Sequence, residues 1–486
     1  MAARRPTALI ALAATFVMAL LGASNSTRAE AGTVGQDGSG GRAVAHRSGG
    51  RAVNTPAVTS QAPDARLFRI GLNAVEPTLG QTKNGDIFYT AFQSNTRIEV
   101  VRSQDEGKSW DVVSPKFGSR NAQLVSFDPY IYVDPRTNRV FTIDLTVACS
   151  YLSFSDDQGK SWITNPLACG RPVNDHQTLF AGPPAVSPTV AYESIVYYCW
   201  NDVGSSSCSK SLDGGVTFHP TGSPAFPGYD PNAGDQNSQF CGGLHGHGHV
   251  GYDGTVYVPK GHCGQPWLSI SRDEGRTWTR VQVAKIGAEG HEASVAADKA
   301  GNIYYTWVSR DRMPYLVVSR DGGKKWSDPM MIGPPGLKEA NLPSLDVGDP
   351  GKIAVAYMGS ENSPFRPVKR DEEGECTAVN QCGGDPDYSK TTWNGYMMVS
   401  TTALDPDPIF FTGTVNDKKD PLIRDTCGPG RCRAVFDFID IIVGRDGTAW
   451  GAWVDGCISL CATPAGGGNM GSDGVVGRLV GGPKLR

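Results

Sequence analysis

Three imidazoles alternate with glycine in His245-Gly-His247-Gly-His249. Side chains of an extended strand alternate between faces, so His245, His247 and His249 should point to one side. There they could converge on a cation, or exchange protons with nearby carboxylates. Acidic groups stand at comparable places along the chain: Glu76, Asp128, Asp175 beside His176, His291 beside Glu292, Glu339 near Asn341, and Asp437 near Asp440. Each precedes a strand-like stretch by a similar interval, so together they predict a ring of acid and imidazole groups facing one opening. The plain alternative is that Asp and His near strand ends bond backbone donors. That account suits any one of them better than it suits the composition His-Gly-His-Gly-His.

Two repeats reveal the elements that must carry these groups. The first, Ser-x-Asp-x-Gly-x-[Ser/Thr/Lys]-[Trp/Phe], occupies residues 103–110, 155–162, 211–218, 271–278 and 319–326. Successive serines are 52, 56, 60 and 48 residues apart, roughly one four-stranded propeller blade. The repeat reads as a hairpin turn: the Asp bonds the turn's own N–H groups, the Gly takes φ > 0, and the aromatic packs between sheets. These aspartates are scaffold on the outer rim rather than catalysts. In the second repeat a turn leads into a β-branched and aromatic run, beginning near Gly85, Asn138, Glu193, Gly254, Gly301, Gly351 and Gly447. The expected fold is all-β: a propeller of four-stranded antiparallel blades, seven in number, with six as the alternative. Its last blade is short, and Leu67-Phe-Arg-Ile70 can supply the missing strand. Innermost strands of a propeller line a central channel, so the acidic and imidazole groups belong at its mouth.

Residues 1–29 read as a signal peptide, with Arg4-Arg5, an apolar run from Ala8 to Leu21, and cleavage after Ala23 or Ala29. The apolar run is shorter than the ~20 residues a membrane span needs. Residues 30–63, rich in Gly, Ala, Ser and Arg, predict a disordered leader, which leaves 64–486 as the propeller. Twelve cysteines fit an exported protein. Their spacing suggests the pairs Cys149–Cys169, Cys199–Cys208, Cys241–Cys263, Cys376–Cys382, Cys427–Cys432 and Cys457–Cys461, although the last four could cross over. The net charge of −4 with mixed signs argues against a nucleic-acid partner. A secreted, extracellular monomer is expected, without a membrane span after signal cleavage.

The five Ser-x-Asp-x-Gly repeats resemble the Asp boxes of the sialidase (neuraminidase) superfamily, and three further stretches are similar to that family's landmarks. Phe68-Arg69-Ile70-Gly71 resembles its F/Y-R-I-P motif. Gly243-Leu-His-Gly-His-Gly-His249, followed by Gly254-Thr-Val-Tyr-Val-Pro259, resembles its P-G-H-G-I … G-R-L-V-V-P stretch. Glu292, ahead of Arg310, resembles the glutamate that activates a tyrosine nucleophile. The resemblance implies that Arg69 and Arg310 fork a substrate carboxylate, with Arg366 or Arg424 as a third arginine. It implies that Glu292 takes a proton from Tyr396 or Tyr357, the family's exception to two-carboxylate glycosidases. The chain departs from the pattern at Gly71, in the later register of Arg310, and at residues 91–97, which offer amides and Arg97 where the family keeps an Asp.

The chemistry therefore points to a carbohydrate-active enzyme that cleaves a glycosidic bond in an acidic glycan, by hydrolysis or by β-elimination. Glu292, His176, His247, Asp128 and Tyr396 are the catalytic candidates. Arg69, Arg310, Glu76, His249 and Asp440 are the substrate-binding candidates. A lyase would use His176 or His247 as base. A non-catalytic glycan- or protein-binding propeller is the alternative. No cofactor is assigned; Ca²⁺ or another divalent metal could sit in the acidic loop from Arg370 to Lys390, whose oxygen ligands suit it.

Overall fold

The computed structural model describes residues 44–46, 63–93, 97–116, 128–146, 149–169, 174–188, 192–202, 205–227, 244–288, 292–365, 387–425, 427–428, 431–432, 435, 437–458, 461 and 471–486. The chain divides into two units, Met1–Thr33 and Val34–Arg486, and every described residue lies in the second. The signal-peptide segment, most of the leader, His291, Arg366, Cys241, Cys376, Cys382 and most of the acidic loop lie outside the described residues.

The described residues form β-strands and turns, and their sheets are built on four antiparallel strands. In chain order the first group is Leu79–Gln81, Ile87–Gln93, Arg97–Ser103 and Asp111–Val112. The second is Pro129–Val133, Val140–Thr146, Cys149–Ser155 and Ile163–Cys169, and the third is Asp175–Gly182, Ile195–Asn201, Ser206–Ser211 and His219–Pro220. The fourth is His249–Val250, Val256–His262, Gln265–Ser271 and Thr279–Gln282; the fifth is Ser294–Ala297, Ile303–Val308, Pro314–Ser319 and Met330–Met331. The sixth is Glu339–Val347, Ile353–Ser360, Thr392–Ser400 and Phe410–Thr414. In the last group Asp440–Val443, Ala449–Asp455 and Asp473–Gly481 are completed by the early strand Asp64–Asn73. The stretch Leu67–Ile70 thus supplies the fourth strand, in register with 475–477.

Each group's second strand is buried along its length, as in Ile303-Tyr-Tyr-Thr-Trp-Val308. Neighbouring groups cover both of its faces, so the run is continuously apolar rather than alternating. The fourth strands Asp111–Val112 and His219–Pro220 are short and exposed. First strands of successive groups pack against one another, and Asp440–Val443 packs on Leu79–Gln81. Within the expected leader, Val44–His46 pairs antiparallel with Phe410–Thr414, extending the sixth group by one strand.

The repeated turn has the expected chemistry. Gly107 N–H donates to Ser103 Oγ at 2.8 Å, Ser103 Oγ–H to Asp105 Oδ1 at 2.9 Å, and Ser109 N–H to Asp105 Oδ1 at 2.8 Å. The same bonds recur around Asp157, Asp213, Asp273 and Asp321. Hydrogen bonds from the Ser161 side chain and backbone hold the Asp157 carboxyl down at about 2.

Cys199–Cys208 and Cys457–Cys461 are disulfides, and the second rules out a crossover among the last four cysteines. Cys149, Cys263 and Cys432 are also oxidised. No helix among the described residues is long and apolar enough to cross a membrane.

Candidate functional site

The N-terminal ends of the first strands bring together residues from five groups. Glu76, 4% exposed, enters just ahead of Leu79–Gln81. Its Oε1 accepts the backbone N–H of Asp437 at 3.1 Å, across 361 residues of sequence. Burial first, and then the charges of Asp128, Asp437 and Glu292, hold the Glu76 carboxyl well above the usual carboxylate range. It therefore keeps its proton to higher pH than an ordinary glutamate. Among the described residues Glu76 Oε2 has no hydrogen-bond partner.

His176 lies beside this group. Its Nε2 is 3.1 Å from Glu292 Oε1, and both side chains are buried. Its backbone N–H donates to Asp128 Oδ2 at 3.3 Å. Glu76 and His176 both take left-handed backbone conformations, φ 49° and 50°. For residues of these types that costs of order 1–3 kcal/mol each, and the same conformation recurs at Glu106, Gln158 and Glu274 in the repeated turns. In the third group the strand register shifts between Asp175 and Thr178, which turns His176 inward.

A second layer lies beneath. The Phe438 ring sits 5.0 Å from His176, 5.1 Å from His247 and 6.3 Å from Tyr130, centroid to centroid. Asp440 accepts from Leu79 N–H at 3.0 Å and from Ser344 Oγ–H at 3.4 Å, and lies 3.4 Å from His247 Nδ1. Thr78 and Ser294 do a similar job, accepting the backbone N–H groups of Ile131 at 2.7 Å and Leu345 at 3.0 Å. At this depth the polar side chains tie first strands to their neighbours, which is the plain strand-end role.

Close packing explains the alternating glycines. A Cβ on Gly246 would lie 1.7 Å from the Ala293 carbonyl oxygen, and one on Gly248 would lie 2.0 Å from the Phe180 ring. The backbone is pressed between the third and fifth groups, so only glycine fits on that face. His245 meets His176 at 6.0 Å between ring centroids, while His247 reaches Tyr130, Phe438 and Asp440. Burial pushes His245 down to about 3 and His249 to about 4, so both rings are neutral. Among the described residues no three His, Cys, Asp or Glu side chains form a set placed to hold a metal.

Glu76, Asp128, His176, Glu292 and Asp437 therefore come together, with His247 and Asp440 below them; other candidates lie elsewhere. Arg69 is on the outermost strand of the last group, 3.0 Å from Asp455 and 3.5 Å from Asp473. Arg310 is exposed, and its guanidinium donates to the Gly264 carbonyl at 3.3 Å. Arg424 donates to the Cys461 carbonyl at 2.8 Å. Glu339 pairs with Arg312 at 3.7 Å. Tyr396, on the third strand of the sixth group, stacks on Tyr357 at 5.3 Å and donates to Glu361 Oε1 at 3.0 Å. The expected partnership of Glu292 with a tyrosine is thus replaced by two others, Glu292 with His176 and Tyr396 with Glu361. The physical reason is strand order: Tyr396 sits two strands out from the first, facing the hydrophobic layer between sheets.

Sequence reasoning missed four residues at or near this centre: Tyr130, Phe438, Asp144 and Lys260. Asp144 lies opposite Pro129, next to Asp128; it is 4% exposed, and burial raises its carboxyl to about 7. Asp144 and Lys260 each interrupt an apolar strand, in Val140-Phe-Thr-Ile-Asp144 and Val256-Tyr-Val-Pro-Lys260, and that interruption was the available signal.

No protein-family model and no curated protein matches this chain. Among solved structures the chain is similar to the Hadza microbial sialidase Hz136, with TM-score 0.40 and 17% identity over 59% of this chain and 63% of that one. It is similar to the NanB sialidase from Streptococcus pneumoniae, with TM-score 0.39 and 13% identity over 60% of this chain and 66% of that one. The Niastella koreensis GH74 enzyme gives TM-score 0.40 and 12% identity over 78% of this chain and 62% of that one. In each case the match spans less than two thirds of the other protein's chain. Likenesses this distant transfer no residue's role to this chain.

Proposed function

We propose that this chain is a secreted carbohydrate-active enzyme that hydrolyses a glycosidic bond, with Glu76 as proton donor and His176, backed by Glu292, as base. The observation that carries this reading is the Glu76 carboxyl, buried beside three other carboxylates and held well above the usual carboxylate range. A carboxyl whose proton is held to higher pH, next to a group that can accept one, is equipment suited to general acid–base cleavage of a glycosidic bond. In the proposed reaction Glu76 gives its proton to the glycosidic oxygen as the C–O bond breaks. His176 takes a proton from the attacking water, and the Glu292 carboxylate stabilises the imidazolium that results.

A seven-bladed, sialidase-like propeller is the fold proposed to hold the site. It is supported by the groups of four strands, the packing of each first strand on the next, and the return of Asp64–Asn73 to the last group. Secretion is supported by the N-terminal pattern at 1–29 and the disulfides. One observation favours the alternative, a non-catalytic glycan- or protein-binding propeller: the Glu76, His176, Glu292 and Asp437 side chains are all buried, with Phe438 packed against His176.

The test is to incubate the mature protein with sialosides, neutral glycans and uronate polysaccharides. Reducing ends, free sialic acid and ultraviolet absorbance of unsaturated products are then read together. Hydrolysis predicts new reducing ends without that absorbance, lost in Glu76→Gln. Absorbance would replace hydrolysis with β-elimination, and retention on a glycan array without any product would leave a binding propeller.

A further inference from the structure

Lys260 is a buried cation that the proposed reaction does not use. It lies on Val256–His262, is 2% exposed, and forms no ion pair among the described residues. Its ammonium makes one hydrogen bond there, to Ser206 Oγ at 3.3 Å, and stands 5.6 Å from the Phe226 ring centroid. An ammonium has three donors, and burying it unpaired is costly. Burial accordingly lowers Lys260 to about 8, against the opposing pull of Asp202.

Other unsatisfied groups lie around it. Ser206 Oγ–H donates to Asn201 Oδ1 at 2.9 Å, which leaves the Asn201 Nδ2 donors without a partner. Trp267 is directly opposite Lys260 across the strand pair, so it shares that face, and its Nε1–H is also unpartnered. His245 pairs with Lys260 through the backbone, and its Nδ1 faces the Gly246 carbonyl at 3.0 Å. A carbonyl only accepts, so Nδ1 carries the proton and the unpartnered Nε2 is an acceptor. His245 also touches His176, which puts this donor-rich patch next to the carboxylate cluster.

We propose that Lys260, Asn201 and Trp267 form an oxyanion-binding site beside the cluster, taking the carboxylate of an acidic sugar while His245 Nε2 accepts one of its hydroxyls. The sugar ligand rests on the glycan-cleaving reading above. Lys260 thereby takes the recognition role for which Arg69 and Arg310 are badly placed. It provides one point charge, and the Asn201 amide and Trp267 indole fix the orientation.

The experiment is calorimetric titration of the full mature chain with glucuronate and with glucose, for the wild type and for Lys260→Met, Asn201→Ala and Glu76→Gln. The site predicts that glucuronate binds at least about tenfold more tightly than glucose. Lys260→Met should erase that preference, and Asn201→Ala should reduce it severalfold. Methionine fills the same volume without a buried charge, so Lys260→Met should melt no lower than the wild type. Glu76→Gln should keep the glucuronate preference while losing cleavage. If the wild type cleaves no glycan yet loses its preference in Lys260→Met, the oxyanion site stands and the cleaving reading falls. A wild type that does not distinguish the two sugars, or a preference that survives Lys260→Met, overturns the site. So does a Lys260→Met variant that melts lower in a protein without the preference, because Lys260 is then structural.

Discussion

His176 Nε2 lies 3.1 Å from Glu292 Oε1, joining the first strand of the third group to the segment that leads into the fifth. Both side chains are buried, so the imidazole has a fixed carboxylate partner to orient it and to stabilise its charged form. If the two act as one unit, their substitutions are not additive. We expect His176→Gln and Glu292→Gln each to lower kcat by about 10²–10³-fold, and the double variant to be little worse than either single one. Losses that multiply in the double variant would show two independent roles.

Glu76→Gln removes a proton donor but no folded-state charge at the pH where Glu76 is protonated. Activity should fall by about 10²–10⁴-fold while the melting temperature holds or rises. An inactive variant that melts lower would instead assign Glu76 to the scaffold, through its bond to the Asp437 N–H.

Arg69→Met tests a structural role for the Arg69–Asp455 pair. Arg69 links the strand Asp64–Asn73 to Asp473 on the adjacent strand and to Asp455 on the one beyond it, and Asp455 is 2% exposed. Leaving that carboxylate without its cation should cost roughly 2–3 kcal/mol, read as a lower urea midpoint with KM unchanged. A raised KM at unchanged stability would return Arg69 to the substrate.

The buried carboxyls Asp144, Asp346 and Asp455 should lower stability as pH rises from about 4 to about 7. They act against an opposing gain from His245 and His249, whose depressed folded-state values leave more protons on the unfolded chain below about 6.5. Burial raises the folded-state carboxyls of Asp144 to about 7 and of Asp346 and Asp455 to about 6. In that window the unfolded chain has released carboxyl protons that the folded chain still holds, so their deprotonation favours unfolding. Below the unfolded values both states are protonated, and the penalty vanishes. Asp144 alone carries about 4 kcal/mol of this at full ionisation, so Asp144→Asn should make the slope of melting temperature against pH more positive. An unchanged slope would show that Asp144 ionises without penalty.

Much of the scaffold was legible because it is local. Ser103, Asp105, Gly107 and Trp110 build their turn from bonds spanning two to four residues, and the pattern alone specifies it. Cys199 and Cys208 face each other because one hairpin puts them there. The strands are apolar runs between such turns, and even the return of Leu67–Ile70 followed from a group that was one strand short.

The sequence by itself determined which residues form strands and turns, and that Glu76, Asp128, His176, Glu292 and Asp437 stand at matching strand ends. Only the tertiary structure decided who meets whom. Glu76 reaches Asp437 and His176 reaches Glu292 because first strands from groups far apart in the chain converge on one centre. It also decided that Tyr396 and Arg69 face other partners, since their strands lie farther out in their sheets. The raised carboxyls of Glu76 and Asp144 and the lowered ammonium of Lys260 belong to the same level, because they follow from the exclusion of water, and no single strand excludes water by itself.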